Sequence, residues 1–478
     1  MWPAASTPGR LKLTPACRVT EHPGQTHPAS FGFNLKHIMM NLRLLPLSLA
    51  LATAFVLPAR AQSLAGLYDA ARSFDASYQS AKSLYEANLS KAEQSKALLL
   101  PTVNMALGAN RVNVSSDVAQ FDRGAYGNQN ATLSASHPLF RPFNTASAEQ
   151  GLKTVDVASA ALKVAEQDLI VRVSQAYFDV LAAMDSLDFV RAQKSAVSEQ
   201  HASAKRNFEV GTATITDTRE AQAQLDLVLA QEIAAENDLR VKKIALDQLT
   251  GKTNATPQPL LASAVIDPLV PDEVSYWVTQ SEENHPSLRQ AQLALEIAQL
   301  ETQKAQAGHK PTLDLTAGYT VTQNNGSSST LMDYRTNVAS VGLSFNLPLF
   351  AGYATQNRIK ETLALEEKAR NDVEAAKRAV AQATRTAFFG VQSGLGQVKA
   401  LEAAQASSQL ALEATKLGYQ VGVRINIDVL NSQSLLFSTK AKLAKARYDV
   451  LLGNLKLRQA NGTLKAEDLQ SLSGLIAK

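Results

Sequence analysis

The chain has 478 residues, a formal net charge of +4, 45% hydrophobic residues and 19% charged residues. This composition excludes a disordered chain and is typical of a globular or membrane-associated protein, and the length predicts more than one structural unit. The small positive excess includes a basic leader that we expect to be removed, so the charge gives no indication of nucleic-acid binding, and no nucleic-acid partner is expected.

The N-terminal leader has two parts. Residues 40–61 have the pattern of a secretory signal peptide, with a basic Arg43, an apolar core at 44–57 and an Ala-Arg-Ala cleavage site ending at Ala61. The core is short for a bilayer-spanning helix, which needs ~20 residues. Residues 1–39 are interpreted as a dispensable or mis-assigned extension. They contain Cys17, the one cysteine of the chain, so thiolate chemistry and disulfides are not expected after cleavage.

The rest of the chain contains an internal duplication. Pro101 aligns with Pro311 and Pro138 with Pro348, both at an offset of 210 residues. The string VGTATITD at position 210 matches VGVRINID at position 421. Self-similarity at a fixed offset predicts a tandem repeat. The predicted units are a first repeat at 62–251, a Pro-rich connector at 252–271, a second repeat at 272–463 and a C-terminal tail at 464–478.

Each repeat has the same predicted order of elements. A helix of about 35 residues comes first, and two strands follow it. A very long helix, a Val-Gly turn and a shorter helix complete the repeat. The predicted strands lie at about 102–112, 129–139, 312–322 and 337–347, and polar loops join the strands of each pair.

The strands alternate strictly between apolar and polar residues. In the first strand Val103, Met105 and Leu107 lie on one face, and Asn104 and Asn110 lie on the other. Runs of ~10 residues match tilted strands that cross a bilayer. A half-buried soluble sheet is the alternative for any single strand. Four strands of matched length in an exported chain favour a membrane β-barrel.

The long helices carry heptad spacing, which predicts a seam against neighbouring helices. In the first copy the apolar positions step alternately by four and three residues from Leu169 to Val190. Small residues on the second long helix, at Gly390, Gly394 and Gly396, are expected to permit close helix approach.

A Pro-Leu-Phe sequence stands at the end of the second strand of each repeat, and we interpret it as a joint between strand and helix. Pro138 and Pro348 suit a strand end because proline cannot donate to the sheet ladder. Phe140 and Phe350 suit the membrane–water interface. Four strands cannot close a barrel, since the smallest filled barrels have about eight. Two copies give eight strands and three give twelve, and the residues alone leave both open.

The tandem halves, the Pro-Leu-Phe joints and the paired VGTATITD and VGVRINID motifs resemble the TolC family of outer-membrane channels over residues 62–463. The second motif is most similar to the type I secretion branch. The resemblance implies a mainly α fold: a homotrimer with a 12-stranded barrel in the lipid of a Gram-negative outer membrane, continuing as a long α-helical barrel of coiled-coil hairpins in the periplasm.

The resemblance also implies a function, that of a passive exit duct of a tripartite export system. Its implied partners are a periplasmic adaptor and an inner-membrane ABC or RND transporter. The alternative is the outer-membrane component of an RND-type multidrug efflux pump. A periplasmic adaptor or a structural coiled-coil protein is a weaker interpretation, because neither explains four bilayer-length strands.

No motif predicts an enzyme, a metal site or a cofactor. The string GKT at 251–253 lacks the glycine that a phosphate-binding loop needs five residues earlier, where Leu246 stands. It is better explained as the glycine end of a helix.

The two Val-Gly turns carry the candidate functional residues. Taken by residue type alone, Asp217 with Glu220 predicts a helix-capping box. The resemblance implies instead a periplasmic gate, with Asp428 forming an acidic ring at the constriction and Asn431 standing where a second acid is familiar. The implied inter-helix links that hold the tip closed are Thr216, Asp217, Tyr419 and Arg424.

Overall fold

The computed structural model describes residues 62–115, 117–118, 124–259, 268–326, 330 and 332–473. The expected extension, the signal peptide and the last five residues of the tail lie outside this part of the chain. None of the described helices combines the length and apolar character needed to cross a membrane.

The two repeats have the same order of elements, as predicted. The first comprises α1 (Leu64–Phe74), α2 (Ala76–Ala97), β1 (Thr102–Val114), β2 (Gly124–Phe140), α3 (Pro142–Glu209) and α4 (Ile215–Thr250). The second comprises α5 (Val274–Asn284), α6 (Pro286–Ala307), β3 (Thr312–Asn325), β4 (Asp333–Asn346), α7 (Ala354–Gln420) and α8 (Asn426–Ala460), and α9 (Asp468–Ser473) follows.

The first predicted helix of each repeat is broken into two, which corrects the expectation of one helix of about 35 residues. Asp75 has extended backbone and caps α2 by accepting a hydrogen bond from the Tyr78 amide at 2.8 Å. Its carboxylate also accepts two hydrogen bonds from Arg172 at 2.9 and 3.0 Å. In the second repeat the break falls at His285, because a residue that precedes proline disfavours helical backbone.

The four strands form one antiparallel sheet in the order β1-β2-β3-β4. Its register places apolar residues in rows on one face, as in the row of Met105, Leu133 and Tyr319. The other face is polar, as in the row of Asn104 and Ser134. The predicted two-faced sheet is therefore confirmed.

The strands extend beyond the predicted bounds, and parts of the predicted loops are paired. Residues 124–128 belong to β2 and residues 333–336 to β4. These stretches show no alternation of apolar and polar residues, so the sequence gives no strand signal although the ladder continues. Asn128 illustrates this, since its amide donates to the side chain of Asn324 at 2.6 Å.

Two long helical hairpins continue from the sheet. Helix α3 has 68 residues and is therefore ~100 Å long at 1.5 Å per residue. It packs along α4, while α7 packs along α8, and α3 contacts α8 between the two hairpins. Leu169, Val173 and Val180 on the predicted seam are fully buried.

The glycines of α7 divide into two kinds. A Cβ built on Gly394 lies 2.8 Å from a methyl of Val450, so α7 and α8 approach closely there. A Cβ at Gly390 or Gly396 meets nothing within 4 Å in the described chain. The expectation of close approach was therefore wrong for these two residues within one subunit, because they lie on the exposed side of α7.

Candidate functional site at the two Val-Gly turns

The same turn joins the helices of both hairpins. Gly211 and Gly422 have φ values of +79° and +80°, a left-handed conformation that glycine adopts at little cost. After each glycine the chain folds back onto the preceding helix: the Thr212 amide donates to Asn207 O at 2.8 Å and the Val423 amide to Gly418 O at 2.9 Å. The repeat thus supplies two equivalent turns, one per hairpin.

Asp217 is held in a capping box at the start of α4, although not in the predicted one. The helix is capped by Thr214, whose side chain accepts from the Asp217 amide at 3.2 Å. The Asp217 carboxylate accepts in return from the Thr214 amide at 2.9 Å. The predicted box of Asp217 with Glu220 is therefore wrong, because Asp217 occupies the third helical position and not the cap. Thr216 has an exposed side chain.

Asp428 is the counterpart of Asp217 in the second repeat, 211 residues later, and its surroundings differ. The position equivalent to Thr214 is Ile425, which caps α8 without a side-chain hydrogen bond. Asp428 is therefore not engaged in a capping box. Its carboxylate lies 3.7 Å from Arg424, one turn earlier.

The other predicted residues are distributed around the second turn. Tyr419 is partly buried against a small apolar cluster that contains Leu412 and Val429. Arg424 is 61% exposed and Asn431 is exposed. The structure brings Arg424 and Asp428 together, whereas Asp217 and Arg424 form no ion pair with each other within the described chain.

A buried asparagine that the sequence analysis missed joins the two turns. Asn426 is 0% exposed, and its amide donates to the backbone oxygen of Asp217 at 3.1 Å. Its side-chain oxygen accepts from Gln200 at 2.5 Å. A comparison of the two repeats could have identified Asn426, because the first repeat carries Ile215 at the equivalent position. A polar residue in one repeat where the other has an apolar residue is a candidate for a specific contact.

A second polar contact lies two turns further along α8. Gln193 of α3 and Gln224 of α4 both donate to the hydroxyl of Ser434, at 3.1 and 3.0 Å. The side-chain oxygen of the neighbouring Gln433 is buried without a partner in the described residues. Together with Asn426, these groups connect α8 to the first hairpin through hydrogen bonds. When helices shift, hydrogen bonds can exchange partners more readily than interlocked apolar side chains can repack.

The strand-to-helix joints lie at the opposite end of the long helices. Pro138 pairs with Asp314, and a bulge separates it from Phe140, whose side chain is 50% exposed. Pro348 and Phe350 follow the end of β4, and Phe350 is 72% exposed.

Neither end of the described chain has the features of a catalytic or metal centre. Its His, Cys, Asp and Glu residues form no group of three or more that could hold a metal ion. Gly251 ends α4 with a φ of +68°, so the GKT string follows a helix, whereas a phosphate-binding loop precedes one.

The family model described as outer membrane efflux protein matches residues 67–252 and 277–463. The chain is 32% identical to the outer membrane protein TolC of Vibrio cholerae over 433 residues, which cover 90% of this chain and 98% of that protein. It is 31% identical to the alkaline protease secretion protein AprF of Pseudomonas aeruginosa, over 87% of this chain and 89% of that protein. The crystal structure of VceC from Vibrio cholerae superposes with a TM-score of 0.71 at 18% identity, covering 84% of this chain and 96% of that one.

Proposed function

Because the chain belongs to the outer membrane efflux protein family and is a TolC-family channel of the Gram-negative outer membrane that serves tripartite export, we propose that it is the exit duct of a type I secretion system. In this proposal three copies form one passive conduit. A periplasmic adaptor and an inner-membrane ABC transporter supply the cargo and the energy.

The observation that carries the proposal is a sheet with two faces and two unpaired edges. Strand β1 pairs with β2, and β4 pairs with β3, so the outer edge of each terminal strand has no partner strand within the described chain. Unpaired edges in a bilayer leave backbone groups unsatisfied at a cost of several kcal/mol each. Pairing β1 of one copy with β4 of the next removes every edge, and three copies give twelve strands.

The long helices pack side by side, and the helices at the two ends of this arrangement support the same association. Near the sheet the packing order is α2-α3-α6-α7, and beyond it the order is α4-α3-α8-α7. The terminal helices are therefore α2 and α4 on one side and α7 on the other. They carry large apolar side chains that one subunit leaves exposed, including Leu84 at 59%, Ile233 at 70%, Leu363 at 49% and Leu410 at 66%.

The two faces of the sheet suit the inside and the outside of a barrel. Met105 and Val341 on the apolar face are 70% and 79% exposed, which suits contact with lipid. The opposite face presents the side chains of Asn104, Ser134 and Thr316, which suit a water-filled lumen.

The gate in this proposal lies at the two Val-Gly turns. Arg424 and Asp217 do not pair within one subunit. In the ring, the exposed guanidinium of Arg424 donates to Asp217 of the neighbouring subunit besides its 3.7 Å contact with Asp428. The Asp217 carboxylate accepts this bond besides those from Thr214. Thr216 and Tyr419 complete the implied links, and Asp428 is repeated by symmetry as an acidic ring. Opening is a shift of packed helices that occurs because the partner binds the open tip more tightly than the closed one.

The type I assignment is supported by similarity to AprF over almost the full length of both chains. Deletion of the gene in its host, followed by assays of protein secretion and of drug susceptibility, tests it. We expect a secreted protein to disappear from the medium and to return when the gene is restored. Unchanged secretion together with increased drug sensitivity would assign the chain to an RND-type pump instead.

A further inference from the structure

A groove of about 430 Å³ lies where the sheet gives way to the long helices. We call it the joint groove. Leu99, Leu139 and Phe140 belong to its apolar lining, and Glu149, Gln306 and Lys310 belong to its polar lining.

The apolar lining of the joint groove is continuous with the apolar face of the sheet. Phe140 pairs with Leu313, and Leu313 pairs with Phe345, so the three residues form one row. Leu139 and Phe140 are each 50% exposed. In the proposed channel this face contacts lipid, and the joint groove then lies at the periplasmic boundary of the membrane.

The polar lining of the joint groove includes one cation and one anion that have no ion-pair partner in the described chain. Lys310 and Glu149 are exposed, and neither forms an ion pair with another residue of the described chain. Nearby charges are paired. Arg141, which also lines the groove, contacts Asp314 at 2.6 Å. On α3 and α6, Lys304 contacts Glu301 at 2.8 Å, and Lys153 contacts Glu296 at 2.6 Å. The groove therefore combines an apolar wall with two unneutralised charges of opposite sign.

The proposed subunit association leaves most of the joint groove uncovered. Apart from Leu99, which lies between α2 and β1, its lining belongs to the end of β2, to α3, and to α6 with the turn that follows it. Helices α3 and α6 occupy the middle of the packing order α2-α3-α6-α7. The proposed contacts between subunits involve α2 and β1 on one side and α7 and β4 on the other.

From this arrangement we propose that the joint groove binds a zwitterionic aminophospholipid, an inference that rests on the proposed membrane position of the sheet. Lys310 binds the phosphate, and the carboxylate of Glu149 accepts hydrogen bonds from the primary ammonium of the headgroup. The acyl chains lie against Leu139 and Phe140. A headgroup with a quaternary ammonium cannot donate to Glu149, and an anionic headgroup without an amine is repelled by it.

Native mass spectrometry of the delipidated, detergent-solubilised complex tests the proposal. The complex is titrated separately with phosphatidylethanolamine, phosphatidylcholine and phosphatidylglycerol. We expect the first to bind most tightly, and Lys310→Ala to weaken it at least about fivefold, the loss of one charge-assisted hydrogen bond. Glu149→Gln is expected to remove the preference for phosphatidylethanolamine over phosphatidylglycerol.

Two variants on the exposed side of α3 are matched controls. Asp156→Asn and Lys163→Ala make the same charge changes at exposed residues outside the joint groove, and we expect both to bind like the parent protein. Equal affinity for the three lipids, or equal effects of groove and control variants, overturns the lipid site while leaving a conducting channel intact. A protein that inserts into no lipid vesicle overturns the channel itself.

Discussion

The guanidinium of Arg141 donates two hydrogen bonds to the carboxylate of Asp314, at 2.7 and 2.6 Å. Arg141 immediately precedes α3 of the first repeat, and Asp314 belongs to β3 of the second. The Asp314 side chain is only 10% exposed. The ion pair therefore joins the two repeats at the level where strands become helices.

We expect Arg141→Ala to destabilise the protein by about 2–3 kcal/mol, because it leaves a nearly buried carboxylate without its partner. Arg141→Lys is expected to recover only part of this, since an ammonium cannot reproduce the bidentate geometry. Thermal unfolding in detergent measures the effect. Arg385→Ala is the control, because Arg385 is exposed and has no ion pair in the described chain. Equal stability of the Arg141→Ala and Arg385→Ala variants would show that the ion pair between Arg141 and Asp314 does not stabilise the protein.

The gate at the Val-Gly turns predicts a change in conductance. Replacing Asp217 and Arg424 together by alanine removes the proposed links between subunits, so we expect a larger single-channel conductance in planar bilayers. A double variant of Asp156→Asn and Arg385→Ala changes exposed charges away from the turns and is expected to conduct like the parent. If the double alanine variant keeps both its conductance and its sensitivity to divalent cations, the turns do not form the gate.

The acidic ring predicts the response to divalent cations. Asn431→Asp adds a carboxylate one turn after Asp428, and three copies then carry six acids at the constriction. We expect stronger block by divalent cations, and weaker block in Asp428→Asn, because cation binding follows the local negative charge. Asn454→Asp adds the same charge about 35 Å further along α8 and serves as the control. Comparable block in the two Asn→Asp variants would contradict the position of the ring.

His285 predicts one component of the pH dependence of stability. Burial lowers the pKa of His285 below its usual value of about 6.5, and its Nδ1 accepts a hydrogen bond from the Ser287 amide at 3.1 Å. The unfolded chain therefore takes up this proton first. The contribution of His285 to stability is fully present above about pH 6.5 and is lost as the pH falls from there towards the lowered pKa.

The variant His285→Asn isolates this component, because asparagine can cap α6 through its side-chain oxygen but does not titrate. Denaturant unfolding between pH 7.5 and 5 is expected to show a shallower loss of stability in the variant than in the parent. Parallel curves would show that His285 contributes nothing to the acid response.

The sequence predicted the structural features that produce a periodic pattern of apolar residues. Alternation over Val103, Met105 and Leu107 assigned the faces of the sheet, because side chains in a strand point alternately to opposite faces. Heptad spacing from Leu169 to Val190 predicted the buried seam of α3 for a similar reason. Both patterns depend only on residues that are close together in the sequence.

Features that depend on distant residues escaped prediction. The break at Asp75 is reinforced by Arg172, which lies 97 residues further along the chain. The burial of Asn426 requires Gln200 and Asp217 from the other repeat. The strand ends were missed because apolar and polar residues do not alternate there, so the local sequence carried no information about pairing.

The subunit number of the purified mature protein tests the central claim most directly. The account predicts three copies, bound together and requiring detergent or lipid to stay in solution, as measured by native mass spectrometry in detergent and by sedimentation after its removal. A monomer that remains dissolved without detergent would contradict the shared barrel and the duct built upon it.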